Sequence, residues 1–337
     1  MAVQRIQLEN VTVFESLNLE LSPGLNIFIG ENGMGKTHIM KLIYSACKAV
    51  RHDVSFPQKM VRVFMPHEFN IRRLVSRSNH GNTAKITVST DDAEISMKFT
   101  TKTSRWDAEV KNEDKWEKQL ADLSCVFIPA KEILSNGWHF ESAVHVGNVE
   151  FDDTYVDVVA AAKIDISAGR DPRPRKKYLD ILQKATDGKV LLEKDRFFLK
   201  QGSQKIEFSL VAEGIRKLAL LWQLIKNGTL EGGSILLWDE PEANLNPRYI
   251  PTVVEMLLAL QRDGVQVFVS THDYFLIKYF EIKRNEKDLI QYHSLYREGD
   301  KSPIICESKD ELDAVQHNSI QDTFIKMYKE EIKKAME

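Results

Sequence analysis

Leu25-Asn26-Ile27-Phe28-Ile29-Gly30-Glu31-Asn32-Gly33-Met34-Gly35-Lys36-Thr37 decides the fold. A short apolar run of strand type feeds straight into Gly30-x-x-x-x-Gly35-Lys36-Thr37, the spacing of a phosphate-binding loop. From Lys36 to about Val50 the pattern becomes helical, with Ile39, Leu42, Ile43 and Ala46 recurring at three- and four-residue intervals. Strand, loop and helix in that order are the context the motif requires. Glycines let the backbone curl so that its N–H groups meet an anion with no Cβ between, and the helix turns its positive end to the same place. In such a loop Lys36 reaches the β- and γ-phosphates and the Thr37 hydroxyl ligates Mg2+. The expected ligand is ATP with Mg2+, bound through Asn32, Gly33, Met34, Gly35, Lys36, Thr37 and His38.

Outward from the loop, Arg5 to Phe14 and Leu17 to Leu21 alternate as strands, and Ser22-Pro23-Gly24 is a turn. Residues 60 to 112 read as strands and hairpins, clearest at Lys85–Ser89 and Glu94–Phe99 around Asp91-Asp92. Ser124–Ile128 is a further strand, and 130 to 185 carries little strand signal and reads as helix and loop. Strands resume over 188 to 210, then a helix spans Glu213–Lys226, a buried-type strand Ser234–Trp238, a helix Tyr249–Arg262 and another strand Val265–Ser270. That alternation implies parallel pairing in an α/β core. The end of the chain, from Asn318, reads as an amphipathic helix rich in lysine and glutamate.

Bulk composition is that of a globular protein: 43% hydrophobic, 28% charged, net charge -3 over 337 residues. That charge argues against a surface coated by nucleic acid, though basic patches at Arg72, Arg73, Arg77 and Arg170–Lys177 remain candidates for phosphate contact. Cys47, Cys125 and Cys306 are far apart and form no CxxC, which points to a reducing compartment with no disulfide or metal role. Neither a secretory signal nor a membrane-length apolar run is visible, so a cytoplasmic location is expected.

Two later segments complement the loop. Ile235-Leu236-Leu237-Trp238-Asp239-Glu240-Pro241 is an apolar strand ending in two carboxylates, suited to a metal-bound nucleotide: Asp239 on Mg2+, Glu240 as general base. Val267-Phe268-Val269-Ser270-Thr271-His272-Asp273 places a histidine just past a second buried strand, within reach of a γ-phosphate.

With these three segments the sequence resembles the ATP-binding-cassette (ABC) ATPases, and within them the branch of SMC, RecF-like and overcoming-lysogenization-defect proteins. Gly30–Thr37 corresponds to Walker A, Leu236–Pro241 to Walker B, Glu242-Ala243-Asn244-Leu245-Asn246-Pro247 to the D-loop and Ser270–Asp273 to the switch histidine. AAA+ ring ATPases lack the Asp-Glu-Pro continuation and the histidine. The resemblance implies an α/β P-loop fold whose core sheet is mixed or parallel, with an antiparallel β-subdomain and a helical insert. It divides the chain into an N-terminal lobe (1–129), an insert (130–190), a C-terminal lobe (191–285) and a terminal strand and helix (286–337). The signature segment falls at 209 to 217, where Ala212-Glu213-Gly214 replaces the family's serine-glycine-glycine core. The Q-loop slot holds Lys131 or Glu132.

The resemblance also implies a homodimer or larger oligomer closing around ATP, each nucleotide meeting Ala212, Glu213 and Gly214 of the other subunit. No cluster of strand-end carboxylates follows His272, so a nuclease or toxin activity is expected from a separate effector protein, which the ATPase senses for or gates, as in bacterial antiphage systems. The alternatives are a DNA-clamping maintenance ATPase and a nucleotide-binding scaffold with negligible turnover.

Overall fold

Alternating apolar residues in the first strands bury one face each and build the first layer. In the computed structural model, which describes residues 2–49, 54–76, 81–147, 149–166, 171–299 and 301–336 (side chains of 173 and 174 apart), β1 (Val3–Val11) and β2 (Phe14–Glu20) form a hairpin. Val50, Arg77 and Arg170 lie outside the described residues. β3 (Leu25–Gly30), buried along its whole length, runs into the glycine loop and α1 (Lys36–Lys48). Next comes a helix, α2 (Phe56–Phe64), followed by single helical turns at His67–Phe69 and Ile71–Leu74. The strand expectation for residues 60 to 74 is therefore wrong. Gln58 Oε1 accepts the Ser55 N–H at 3.0 Å and Pro57 sits in the first turn, so a helix start overrides the β-prone Val61–Phe64 run. Phe56, Met60 and Val63, spaced for one helix face, are all buried.

Beyond 83 the expected strands are present: β4 (Thr83–Thr90), β5 (Glu94–Thr100) and β6 (Glu109–Lys111). With the first hairpin they make an antiparallel sheet in the order β2-β1-β4-β5-β6, covered by α3 (Glu113–Leu120), whose Trp116 is buried.

β7 (Cys125–Ile128) opens the second half, followed by α4 (Phe140–His145), α5 (Asp153–Lys163) and α6 (Arg173–Thr186). Acidic residues at the start of α5 fasten it to the first helices: Lys41 meets Asp152 at 2.7 Å, and buried Lys59 lies 2.6 Å from both Asp153 and Asp157. β8 (Lys189–Glu193), β9 (Arg196–Gln201) and β10 (Gln204–Glu207) form a small antiparallel sheet. Then come α7 (Glu213–Lys226), β11 (Ile235–Asp239), α8 (Ile250–Arg262), β12 (Gln266–Ser270) and α9 (Tyr274–Lys283). β13 (Ile290–Tyr296), β14 (Ile305–Lys309) and α10 (Ser319–Met336) close the chain. Phe324 on α10 stacks on Tyr274 of α9 at 3.9 Å.

The core sheet runs β14-β13-β3-β12-β11-β7, parallel except for β14. β3, β11 and β12 are continuous apolar strands with helices on both faces, as parallel strands must be. Register brings their carboxyl ends together, with Asp239 opposite Ser270 and Ser270 opposite Phe28. Ligands of open α/β sheets bind at that edge. Among the described residues no helix is long and apolar enough to cross a membrane.

Candidate functional site

The glycine loop leaves β3 where the backbone is crowded. Gly30 has φ +137°, and a Cβ there would stand 2.3 Å from the Leu295 carbonyl of β13. At Gly35, φ is +89° and a Cβ would meet the Phe14 ring at 2.4 Å. Each position therefore excludes other residues on two counts, conformation and space. Lys36 is buried and donates to the Gly30 and Glu31 carbonyls at 2.7 and 3.0 Å. Burial lowers its pKa, a shift opposed chiefly by Glu240 and Asp239. Asn32 and Gly33 are exposed at the loop's tip, and Met34 packs on the apolar cluster below. The ring of His38 sits edge-on to Phe64 at 5.5 Å, and burial pushes its pKa down to about 4, so it is neutral and committed to packing.

Across the sheet edge, the Thr37 hydroxyl donates to both carboxylate oxygens of Asp239 at 3.1 Å. Ser270 at the end of β12 also donates to Asp239. Burial raises the Asp239 pKa, while the Ser270 and Thr37 hydroxyls work against that rise. Glu240, one residue further, adopts φ +47° and its N–H bonds the Ser270 carbonyl at 3.0 Å. Its carboxylate lies 3.3 Å from Nδ1 of His272. Glu242 is tied to the same strand end: its Oε1 accepts the Thr271 hydroxyl at 2.6 Å and the His272 amide at 3.4 Å. Burial lifts the Glu242 carboxyl to about 6.

Lys36, Thr37, Asp239, Glu240 and His272 thus share one edge of the core sheet. The segment expected to carry the signature faces its own chain instead. Glu213 accepts from Asn244 Nδ2 at 2.9 Å. Gly214 is buried so closely that a Cβ would lie 2.7 Å from the Asn244 carbonyl. Ala212, exposed, precedes the first turn of α7 and supplies no side-chain cap. In the Q-loop slot Lys131 is exposed, whereas the Glu132 carboxylate is fully buried against Arg216 of α7 at 2.5 Å. Arg216 also donates to the Phe208 and Val211 carbonyls, so it shapes the segment that leads into α7.

Sequence reasoning passed over the anchoring roles of Ser270, Glu242, Arg216 and Lys217. The first two had a visible signal, since hydroxyl and carboxyl groups beside the histidine and the acidic pair invite mutual bonding. Arg216 and Lys217 had a weaker one, two adjacent cations within the otherwise apolar run Ile215–Trp222.

Chemically, the edge combines a buried ammonium, a helix start, a carboxylate–hydroxyl pair and a second carboxylate beside an imidazole. The pair offers hard oxygen donors, which fit Mg2+ completing its shell with phosphate and water. Comparison with known proteins bears on the family and the fold. The model of the family described as "AAA domain, putative AbiEii toxin, Type IV TA system" matches residues 25–278. The DNA replication and repair protein RecF of Lysinibacillus sphaericus is 37% identical over 62 residues, and that of Staphylococcus haemolyticus 39% over 62. These matches cover 18% of this chain and only 17% of the relatives' length. Among solved structures, an Smc head bound to the C-winged helix domain of ScpA superposes with a TM-score of 0.62 at 12% identity, covering 94% of this chain and all of the other. The SMC head domain of Thermotoga maritima gives 0.51 at 14% identity, covering 90% and 98%. The chain belongs to this AAA-domain family and has the fold of the SMC head domains.

Proposed function

We propose that this ATPase binds Mg2+-ATP at Gly30–Thr37, hydrolyses it with Glu240 as general base, and closes as a homodimer or larger oligomer around the nucleotide to gate a separate effector. The convergence of Thr37 and Ser270 on Asp239, with Glu240 3.3 Å from His272, is the observation that carries the chemical part. Thr37 and Asp239 would hold Mg2+, which supplies charge neutralisation at the phosphates. Lys36 and the loop N–H groups hold the β- and γ-phosphates, and His272 orients Glu240 and senses the γ-phosphate. In this reading the lobe 1–129 brings the phosphate loop, 191–285 the acidic turn, and 130–190 braces the two. Ala212, Glu213 and Gly214 would complete the partner's site through the main chain at the start of α7, because the side chain of Glu213 is already engaged.

A toxin–antitoxin setting is supported by the family's description, which names a "putative AbiEii toxin" of a type IV system; that the effector is a separate protein belongs to the proposal. Glu240→Gln tests the chemistry: turnover should vanish while nucleotide binding persists and ATP-dependent dimers accumulate in light scattering. ATP consumption at the wild-type rate in that variant would remove the base assignment. Co-expression with the adjacent gene's product tests the role, with complex formation expected to follow the nucleotide state.

A second reading, a DNA-clamping ATPase, draws on a different observation. Exposed Arg72 and Arg73 lie beside exposed Phe69, and Ile71 N bonds the carbonyl of Arg105, whose neighbour Trp106 is also exposed. Cations interleaved with aromatic rings suit nucleic acid. In the other basic run Arg175 is already paired with Glu231 at 2.9 Å. A salt-sensitive DNA mobility shift that requires ATP would favour this reading.

A further inference from the structure

Lys217 stands on the face of α7 that packs under the acidic turn, and it is 1% exposed. A buried ammonium is costly unless its hydrogen bonds are made. Here two main-chain carbonyls take them: Ala243 at 2.7 Å and Glu240 at 3.3 Å. Both belong to the turn that carries the general base proposed above.

That turn is strained. Glu240 has φ +47°, a left-handed conformation that disfavours most residues with a side chain, whereas Asn244, at φ +59°, is of a type that adopts it readily. Such geometry persists only where surrounding contacts fix it. The amide of Glu240 is held by the Ser270 carbonyl, and its carbonyl by Lys217. The turn is also closed by its own bond, Ala243 N–H to the Glu240 carbonyl at 3.0 Å, and held by Thr271 and His272 on Glu242; the same helix adds Glu213 on Asn244 and Gly214 against the Asn244 carbonyl.

We infer that Lys217 is a positioning residue for hydrolysis: its buried ammonium clamps the carbonyls of residues 240 and 243 and so fixes the direction of the Glu240 carboxylate. The inference rests on Glu240 being the base. Without the clamp the peptide at 240 can relax toward a right-handed conformation, carrying the carboxylate away from His272. Misplacement of a catalytic group by about 1 Å can cost roughly a hundredfold in rate. Phosphate binding is untouched, because Lys36 and its loop stand on β3 and α1 and make no bond to Lys217 among the described residues.

The test is steady-state ATPase kinetics on the full chain with Mg2+, with nucleotide affinity measured separately by calorimetry. Lys217→Met should lower kcat by roughly ten- to a hundredfold with nucleotide Kd changed less than about threefold. Lys217→Arg, which still donates to both carbonyls, should recover most of the rate. Lys217→Gln keeps an uncharged amide donor on a shorter side chain and serves if the Met variant does not fold; an intermediate kcat is expected. An unchanged kcat in folded Met or Gln variants overturns the inference. So does a parallel loss of nucleotide affinity, which would make Lys217 general scaffolding. Glu240→Gln run alongside separates the failures: turnover surviving there removes the base assignment and this inference with it, whereas its loss with normal Lys217 variants removes only the inference.

Discussion

The phosphate-loop edge and the start of α7 are both motif regions, yet their polar groups are spent differently. At the edge, side chains from β3's loop, β11 and β12 point at a common space: Thr37 and Ser270 meet on Asp239, and Glu240 meets His272. At α7, Glu213, Arg216 and Lys217 are consumed inside the chain by Asn244, Glu132 and the carbonyls of 240 and 243. One region is built to meet a ligand with side chains, the other to hold that first region in shape. Departure from a family's consensus is tolerable at α7 because what it must keep is packing and a helix start.

Substitutions can break this contrast. Removing the loop cation, Lys36→Ala, should weaken ATP binding by about a hundredfold or more, ~2.7 kcal/mol by calorimetry; a small loss would mean the edge does not depend on it. Gly214→Ala has two opposed terms. Helix propensity favours alanine by about 1 kcal/mol, while the clash with the Asn244 carbonyl costs about 1–3 kcal/mol. Net destabilisation in chemical denaturation is expected, and a stabilised variant would show that α7 does not press on the turn.

Glu242 gives a pH-dependent test. Burial holds its carboxyl at about 6 against an ordinary 4.5, so the folded state keeps the proton longer than the unfolded chain does. The associated stability is complete below pH 4.5 and is lost as pH rises through about 6, up to about 2 kcal/mol. Glu242→Gln should therefore gain on the wild type by that amount between pH 4.5 and 7.5, and a constant difference would refute the shift. The smallest effect belongs to Glu213→Ala: about 0.5–1 kcal/mol for one part-exposed hydrogen bond, with kcat little changed. A loss there as deep as that of Glu240→Gln would erase the distinction between the two regions.

Local features were legible in the sequence. The loop, β3 and α1 follow from glycine spacing and apolar period, and the sequence reading and the structure place α7 over the same residues, Glu213–Lys226. Asp239 and His272 could be paired with the loop because strand ends of a parallel sheet share an edge. The misreading at 60–74 arose because Val61-Arg62-Val63-Phe64 has a β-like composition, and the deciding signal, Ser55 with Gln58, lay upstream. Lys217 and Arg216 carried no local sign of what they would bind. Only three-dimensional packing shows that their partners are main-chain carbonyls and a carboxylate some 80 residues earlier in sequence.

The position of β3 sets the order in which the molecule can mature. Its sheet neighbours are β12 and β13, and the Leu295 carbonyl borders Gly30. Both strands are synthesised more than 230 residues after it. The phosphate loop therefore cannot acquire its final geometry on a growing chain until Tyr296 has emerged, and closing so long a loop makes this a slow step of folding. A fragment ending before Ile290 would leave β3 as an open sheet edge, prone to pair with other chains. Nucleotide binding by this protein is in that sense a report that β12 and β13 have been made and have found β3.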